Sequence, residues 1–208
     1  MKFTIFKKSK KFHWTVEKII YTIIFSSLAL GYISEKVFDS EQNYVSKTCM
    51  AIALIGFFAG LVTKFIGFSQ FEKLQGILDG YLVFKVDSIE IENREYNLNE
   101  IKRIVISNDD YSGKLVGTSR GHLGPALSNG TGNHIILFLN SRESKKVNFE
   151  MINSNDFQKV RNELINYHVN SKIDFWSLAH ILGEKSTTEI AELTSEIEKF
   201  STIANSRL

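Results

Sequence analysis

With 208 residues, of which 43% are apolar and 23% charged, the chain is long enough for one ordinary globular domain with additional elements. Its formal net charge of +2 conceals a division, because residues 1–73 carry +5 and the remainder carries −3. The larger part therefore lacks the concentrated cationic surface that nucleic acid requires, and the lone Cys49 excludes an intrachain disulfide.

The first eighteen residues, MKFTIFKKSKKFHWTVEK, interleave six lysines with apolar and aromatic side chains. Residues 1–18 are therefore predicted to be a basic cytoplasmic tail. Such a tail either lies on an anionic membrane surface, where each lysine gains roughly 1 kcal/mol, or is a flexible segment that only sets topology. The residues predicted to contact the membrane surface are Lys7, Lys8, Lys10, Lys11 and Trp14.

Residues 19–68 contain two apolar stretches separated by a short polar turn. The stretch 19–33 has no charge, and the stretch 49–68 has only Lys64. No small-residue cleavage site follows the first stretch, which argues against a signal peptide. A buried soluble hairpin would need more covering surface than the rest of the chain provides. The pattern therefore predicts a transmembrane helical hairpin, in which Gly56 and Gly60 form a small-residue face for helix packing.

The distribution of lysines predicts the orientation of this hairpin. Six lysines precede the first apolar stretch, whereas the turn 34–48 holds two lysines and three acids. By the positive-inside rule both termini are cytoplasmic, and the protein crosses the inner (cytoplasmic) membrane twice. The lipid bilayer is thus the first predicted partner.

From Gly76 onward the apolar period changes to two. The segment YLVFKVDSIEIENREYNLNEIKRIVIS predicts a meander of short antiparallel strands, and HIILFLN and KKVNFEM predict two more. A helix is expected after Asn153 or Ser154. The segment FWSLAHIL predicts a short helix ending at Gly183, and Ser186 with Glu189 predicts a capping box for a last helix.

The order of these elements resembles that of bacterial pleckstrin-homology-like domains. The resemblance is carried by GYLVFKVDSIEIENREYNLNEI, NDDYSGK, SNG, FQKVRNELINYH and KIDFWSLAHILG. It implies an α+β protein of the kind found as small membrane-anchored bacterial proteins: a transmembrane hairpin, then a PH-like antiparallel β-barrel or sheet at 76–168 with a C-terminal helix. Residues 169–208 are expected to form an additional helical extension. The resemblance implies no activity.

The Gly-rich loop at 113–132 is the main candidate site. Lys114, Arg120 and His122 lie among its glycines and are the predicted ligand- or partner-binding residues. The spacing fits neither a P-loop nor a dinucleotide fingerprint, which favours a flexible loop. The adjacent Asp109 and Asp110 are typical of a turn at the end of a strand.

No catalytic motif, cofactor motif or metal-ligand spacing is present in the sequence, and the five histidines are scattered. The aromatic cluster around Trp176 is expected either to pack on the strands or to dock on a bilayer or subunit, with packing favoured. We therefore expect a membrane-tethered, non-enzymatic binding or scaffolding module that engages a membrane protein or a second copy of itself. The alternative is a membrane-associated enzyme with its site in the loop 113–132.

Overall fold

The structure, a computed structural model, describes residues 1–11, 14–37, 44–116 and 123–205, with backbone alone at 203–205. The strands in these ranges are β1 (Lys2–Lys8), β2 (Gly76–Phe84), β3 (Ser88–Ile91), β4 (Arg94–Asn97), β5 (Ile101–Ser107), β6 (Ser112–Leu115), β7 (Leu127–Asn129), β8 (Asn133–Leu139) and β9 (Ser144–Phe149). The helices are α1 (Val16–Val37), α2 (Tyr44–Gly67), α3 (Arg161–Val169), α4 (Phe175–Leu182) and α5 (Thr187–Asn205), with a 3₁₀ turn at Asp156–Val160 before α3.

The chain divides into two compact units. The sheet unit is drawn from residues 1–9, 76–114 and 128–208, and the hairpin unit from residues 10–75 and 115–127. The chain therefore leaves the sheet unit twice, first for the two long helices and later for the loop between β6 and β7.

The sheet unit is built on seven antiparallel strands in the order β4-β3-β2-β1-β9-β8-β5. This confirms the α+β class, but the sheet is open, with β4 and β5 at its edges, so it is not a closed barrel. The turn between β3 and β4 holds Glu92 and Asn93 at φ 51° and 67°. Two consecutive positive φ angles match the twist of a two-residue hairpin.

Strand β1 corrects the expectation of a basic tail over residues 1–18. Lys2–Lys8 lies between β2 and β9, and Phe3 and Ile5 are buried in the core. The residues that pair with β1 lie far along the chain, so no local pattern reveals the pairing, and its lysines resemble those of a tail. The folded sheet consequently begins at residue 2 rather than at Gly76.

The three C-terminal helices and the 3₁₀ turn form one core with the strands. Their buried side chains include Phe157, Leu164, Leu178 and Leu193, in the same cluster as the inward side chains of the strands. Residues 169–208 are therefore an integral part of the sheet unit and not an appended extension. Tyr167 fixes the contact, because its buried hydroxyl donates to the Ser88 carbonyl at 2.9 Å.

The C-terminus of α4 and the N-terminus of α5 agree with the sequence prediction. Gly183 ends α4 with φ 77°, a conformation that favours glycine. At the start of α5 the Glu189 amide donates to Ser186 Oγ at 3.2 Å, and Glu189 Oε2 accepts from the Ser186 amide at 2.8 Å. The predicted capping box is therefore confirmed. Arg161 also ties α5 to α3, since its Nε donates to Glu196 Oε2 at 2.8 Å.

Candidate functional site: an apolar helical hairpin and the loop clasped to it

The two long helices bury mostly small side chains, with Ile20 as the exception, and expose large ones. Exposed apolar residues cover both helices, as illustrated by Phe58 at 62% and Phe65 at 77% relative exposure. The buried positions in α1 are Ile20, Ser27, Gly31 and Ser34, and those in α2 are Ala53, Gly56, Gly60 and Gly67. A helix pair in water has the opposite arrangement, because large apolar side chains are then the ones buried. Small residues at the contact and large apolar residues outside are typical of helices surrounded by lipid.

Both helices are long and apolar enough to cross a membrane. They are antiparallel, because Gly31 lies against Cys49 while Gly56 lies against Ile24.

The predicted packing glycines lie in the contact between the two helices. A Cβ at Gly56 would come within 3.0 Å of Ile24 Cγ1, and one at Gly60 within 3.5 Å of Ile20 Cγ2. Both glycines therefore serve the packing of α1 on α2 in the same chain. Across the far end of this contact, Ser46 Oγ donates to Glu35 Oε1 at 2.6 Å.

The Gly-rich loop is joined to the end of α2 by a series of backbone hydrogen bonds. The Ala126 amide donates to the Gly67 carbonyl at 2.9 Å, and the Leu127 amide to Gln70 at 3.0 Å. The Glu72 amide in turn donates to Leu127 at 2.7 Å, and the Val116 amide to Ala126 at 2.8 Å. We call the described part of this loop, residues 115–116 and 123–127, the clasp. These residues are thus attached by backbone hydrogen bonds to Gly67 at the end of α2 and to the segment that follows it.

Two glycines of α2 accommodate the clasp. A Cβ at Gly67 would lie 2.3 Å from the Gly124 carbonyl oxygen, closer than a carbon atom can approach. Farther along the helix, a Cβ at Gly60 would lie 3.1 Å from Leu123 Cδ1. Gly67 must therefore remain a glycine for Gly124 to occupy its position.

Of the three predicted ligand-binding residues, Lys114 lies within the described structure. The Lys114 ammonium donates to the Asp109 carbonyl within its own turn. Arg120 and His122 lie outside the described residues.

The two aspartates before this loop have different surroundings. Asp109 is exposed, with its Oδ1 3.6 Å from His180 Nε2. Asp110 Oδ2 accepts from Ser128 Oγ at 2.7 Å and from the Gly132 amide at 2.8 Å, and Asn133 Oδ1 accepts from the Asp110 amide at 2.9 Å. Asp110 therefore joins the motifs NDDYSGK and SNG, a pairing that sequence reasoning missed because they are separated along the chain.

Metal chemistry finds no support in the residues that the structure describes. Among them, no group of three or more His, Cys, Asp or Glu side chains is placed to hold an ion. A shallow groove beside charged sheet residues includes Lys7, whose ammonium is already held by Asp79 and Glu92 at 2.7 Å each. Those two carboxylates raise the pKa of Lys7.

The predicted membrane-surface residues lie at the surface of the described structure. Lys8, Lys10, Lys11 and Trp14 are exposed, and so is Lys7, which also forms ion pairs with Asp79 and Glu92 within the sheet unit. The predicted aromatic cluster is divided: Ile181 and Leu182 are buried in the core, while Trp176 is 71% exposed.

Comparison of the chain with protein-family models, with curated proteins and with solved structures finds no match. The architecture alone therefore defines the class: an α+β protein with two apolar helices inserted after its first strand. The clasp and the hairpin are the features from which function can be argued.

Proposed function

We propose that this protein is a membrane-tethered, non-enzymatic binding module. In this proposal the hairpin crosses the inner (cytoplasmic) membrane, and the sheet unit, as a PH-like domain, presents a surface to a membrane protein or to a second copy at the cytoplasmic face. An open antiparallel sheet with helices packed against it is compatible with the PH-like assignment.

The observation that carries the proposal is the point at which the hairpin is inserted. Lys8 at the end of β1 pairs with Gly76 at the start of β2, so the chain leaves and re-enters the sheet at neighbouring positions. If the helices cross a bilayer, both connections must therefore lie on the same side, which requires an even number of crossings. Two helices of spanning length meet this requirement.

The lysines support a cytoplasmic sheet unit. Five lysines precede α1, whereas two lysines and three acids lie in the segment 34–48. Lysine is retained on the cytoplasmic side of membrane helices. The tether would raise the effective concentration of the sheet unit near a partner in the same membrane. A weak interaction then reaches a higher occupancy without any additional contact.

Cysteine accessibility in cells tests the orientation. In a Cys49→Ala background, a cysteine at Ser40 should react with an impermeant maleimide from outside, and a cysteine at the exposed Glu192 only after permeabilisation. The reverse pattern would show that the sheet unit is not cytoplasmic.

Photo-crosslinking in native membranes tests binding. A photoreactive residue is placed at exposed apolar positions of the sheet unit, Val86, Ile152 or Trp176, and at the hairpin residue Phe58 as reference. The proposal expects a protein adduct from at least one sheet position that is lost when residues 9–75 are replaced by a short turn. It also expects the adduct to return when this soluble version is overproduced. If the soluble version at native expression level gave the adduct in equal yield, tethering would be excluded as the mechanism. If no sheet position gave an adduct, the binding module would be excluded.

A further inference from the structure

Apolar side chains are exposed around the end of α2 and on the clasp. They are Phe65 in the last turn of α2, Phe68, Phe71 and Leu74 just after it, and Leu115 and Val116 on the clasp. We call these six residues the collar. Backbone hydrogen bonds place its parts side by side, because Val116 pairs with Ala126 and Ala126 with Gly67. In water such a set of exposed apolar side chains would be unfavourable.

The clasp also extends along α2 and not only across its end. Leu123 lies against Gly60, whereas Gly124 and Ala126 lie against Gly67. At 1.5 Å per residue, Gly60 is about 10 Å from Gly67 along the helix axis. Leu123 is therefore about one turn beyond Lys64, the position at which a lysine in such a helix reaches the headgroups.

The backbone of the clasp suits a medium with little water. The amides of Val116, Ala126 and Leu127 all donate to protein carbonyls. Irregular backbone is tolerated at membrane depth only where its polar groups are satisfied by protein. These three clasp amides meet this condition, because Gly67 at the end of α2 accepts from Ala126, Gln70 just after α2 accepts from Leu127, and Ala126 accepts from Val116.

From these observations we infer that the collar is a lipid-contact surface in which the clasp lies beside α2 at the level of the headgroups, with Leu115 and Val116 facing the lipid. The inference rests on the proposed membrane crossing of the hairpin. The bilayer interface is the proposed occupant of the collar, because the collar continues the apolar outer surface of α2. Like that surface, it exposes large apolar side chains. A surface covered by protein, whether a second copy or another partner, is the competing outcome.

Fluorescence quenching by lipid nitroxides tests the inference on the full chain. In the Cys49→Ala background, an environment-sensitive fluorophore is attached to single cysteines at Leu115, Val116, Phe58 and Ile152 in phosphatidylcholine–phosphatidylglycerol vesicles. Ile152 is the matched control, because it is an exposed apolar residue of the sheet unit at 65% exposure. We expect headgroup nitroxides to quench positions 115 and 116 more than position 152, and mid-chain nitroxides to quench position 58 most.

The outcomes separate the inference from the proposed function. Absence of quenching at position 58 by mid-chain nitroxides would overturn the membrane crossing itself. Quenching at 58 with none at 115 and 116, or with equal quenching at 152, would overturn the lipid-contact surface alone. A fluorophore at 116 that is shielded from water but not quenched by lipid would show that protein covers the collar, which also overturns it.

Two further variants test the role of the clasp. Gly67→Ala introduces a methyl group where the Gly124 carbonyl lies, and Leu123→Asn removes the apolar contact with Gly60. Each is expected to reduce quenching at positions 115 and 116 and to leave position 58 unchanged. Ser69→Ala is the control, because Ser69 is exposed and its hydroxyl bonds only within its own turn to Ile66. If both variants retain the quenching at 115 and 116, the clasp does not position this surface.

Discussion

At the scale of single residues, Phe3 links the N-terminus to the core. Its ring lies 4.9 Å from that of Phe157, 5.4 Å from Phe149 and 5.7 Å from Phe84, measured between centroids. These distances are those of favourable stacked and edge-to-face aromatic pairs. The third residue of the chain thus holds β1, β2, β9 and the 3₁₀ turn together.

Replacing Phe3 by alanine is expected to lower the free energy of unfolding of the sheet unit by about 3–5 kcal/mol, because it removes a fully buried ring and leaves a cavity. Chemical denaturation in detergent micelles, followed by near-UV circular dichroism, measures the change. Trp176→Ala removes an exposed ring and should change stability by less than about 1 kcal/mol. Equal effects of the two substitutions would contradict a structural role for Phe3.

Glu189 gives the start of α5 a pH dependence. Hydrogen bonds from the Ser186 and Lys185 amides lower its pKa from 4.5 to about 2. A lowered pKa in the folded state stabilises the fold above the unfolded value, and this stabilisation is lost as pH falls through the folded value. We therefore expect the first turn of α5 to fray between pH 4.5 and pH 2.

Amide hydrogen exchange at residues 185–190 over this pH range measures the fraying, after correction for intrinsic exchange. Glu189→Gln keeps a hydrogen-bond acceptor but cannot ionise, so its protection should vary less with pH. The same pH response in both proteins would assign the fraying to another group.

At the scale of elements, the pairing of β1 with β2 explains how a hairpin is accommodated inside a sheet. The two strands are antiparallel neighbours, and their register runs to Lys8 opposite Gly76. Such a pair needs only a short turn, so the hairpin is an insertion in what would otherwise be an ordinary β-hairpin. Strand β1 is central in the sheet, and its loss would expose the edges of both β2 and β9.

Replacing residues 9–75 by Asn-Gly should therefore yield a soluble sheet unit with the same pairing of β1 and β2. Nuclear Overhauser contacts between Phe3 and Leu82, which face each other in the register, would report it. The control deletes residues 1–75, which removes β1 as well, and should be unfolded or aggregated. If the control folds as well as the Asn-Gly protein, β1 is dispensable for the sheet.

At the scale of the whole molecule, the position of β1 would make the number of crossings a condition for folding if the hairpin enters a membrane as we propose. Strand β1 precedes both helices and β2 follows them, and both strands belong to the same sheet. An odd number of crossings would place β1 and β2 on opposite sides of the bilayer. The sheet could then not form.

If the helices cross a bilayer, deletion of residues 44–67, which removes α2 alone, should abolish the native sheet, although removal of both helices in the Asn-Gly protein is expected to preserve it. Limited proteolysis of membranes would show rapid degradation of the single-helix variant and a protected fragment for the full chain. A protected sheet unit in the single-helix variant would mean that α1 alone does not cross the bilayer.

Much of the fold could be predicted from local patterns. Long apolar runs predicted α1 and α2, the period of two predicted strands from Gly76 onward, and Ser186 with Glu189 predicted the start of α5. Each depends on residues close in sequence, where periodicity and capping act. The candidate site was less accessible, because the contact of Gly67 with Gly124 and the network around Asp110 join segments that are far apart along the chain.

The sequence by itself thus determined the two apolar helices, most of the strands after Gly76 and the last helices. Only the tertiary structure decided that Lys2–Lys8 is a central strand, that the hairpin is inserted between two paired strands, and that the Gly-rich loop is held on α2. The physical reason is that strand pairing and close backbone contact satisfy hydrogen bonds between distant residues. Such pairings depend on which partners are brought together in space, and a local pattern records only one partner of each pair.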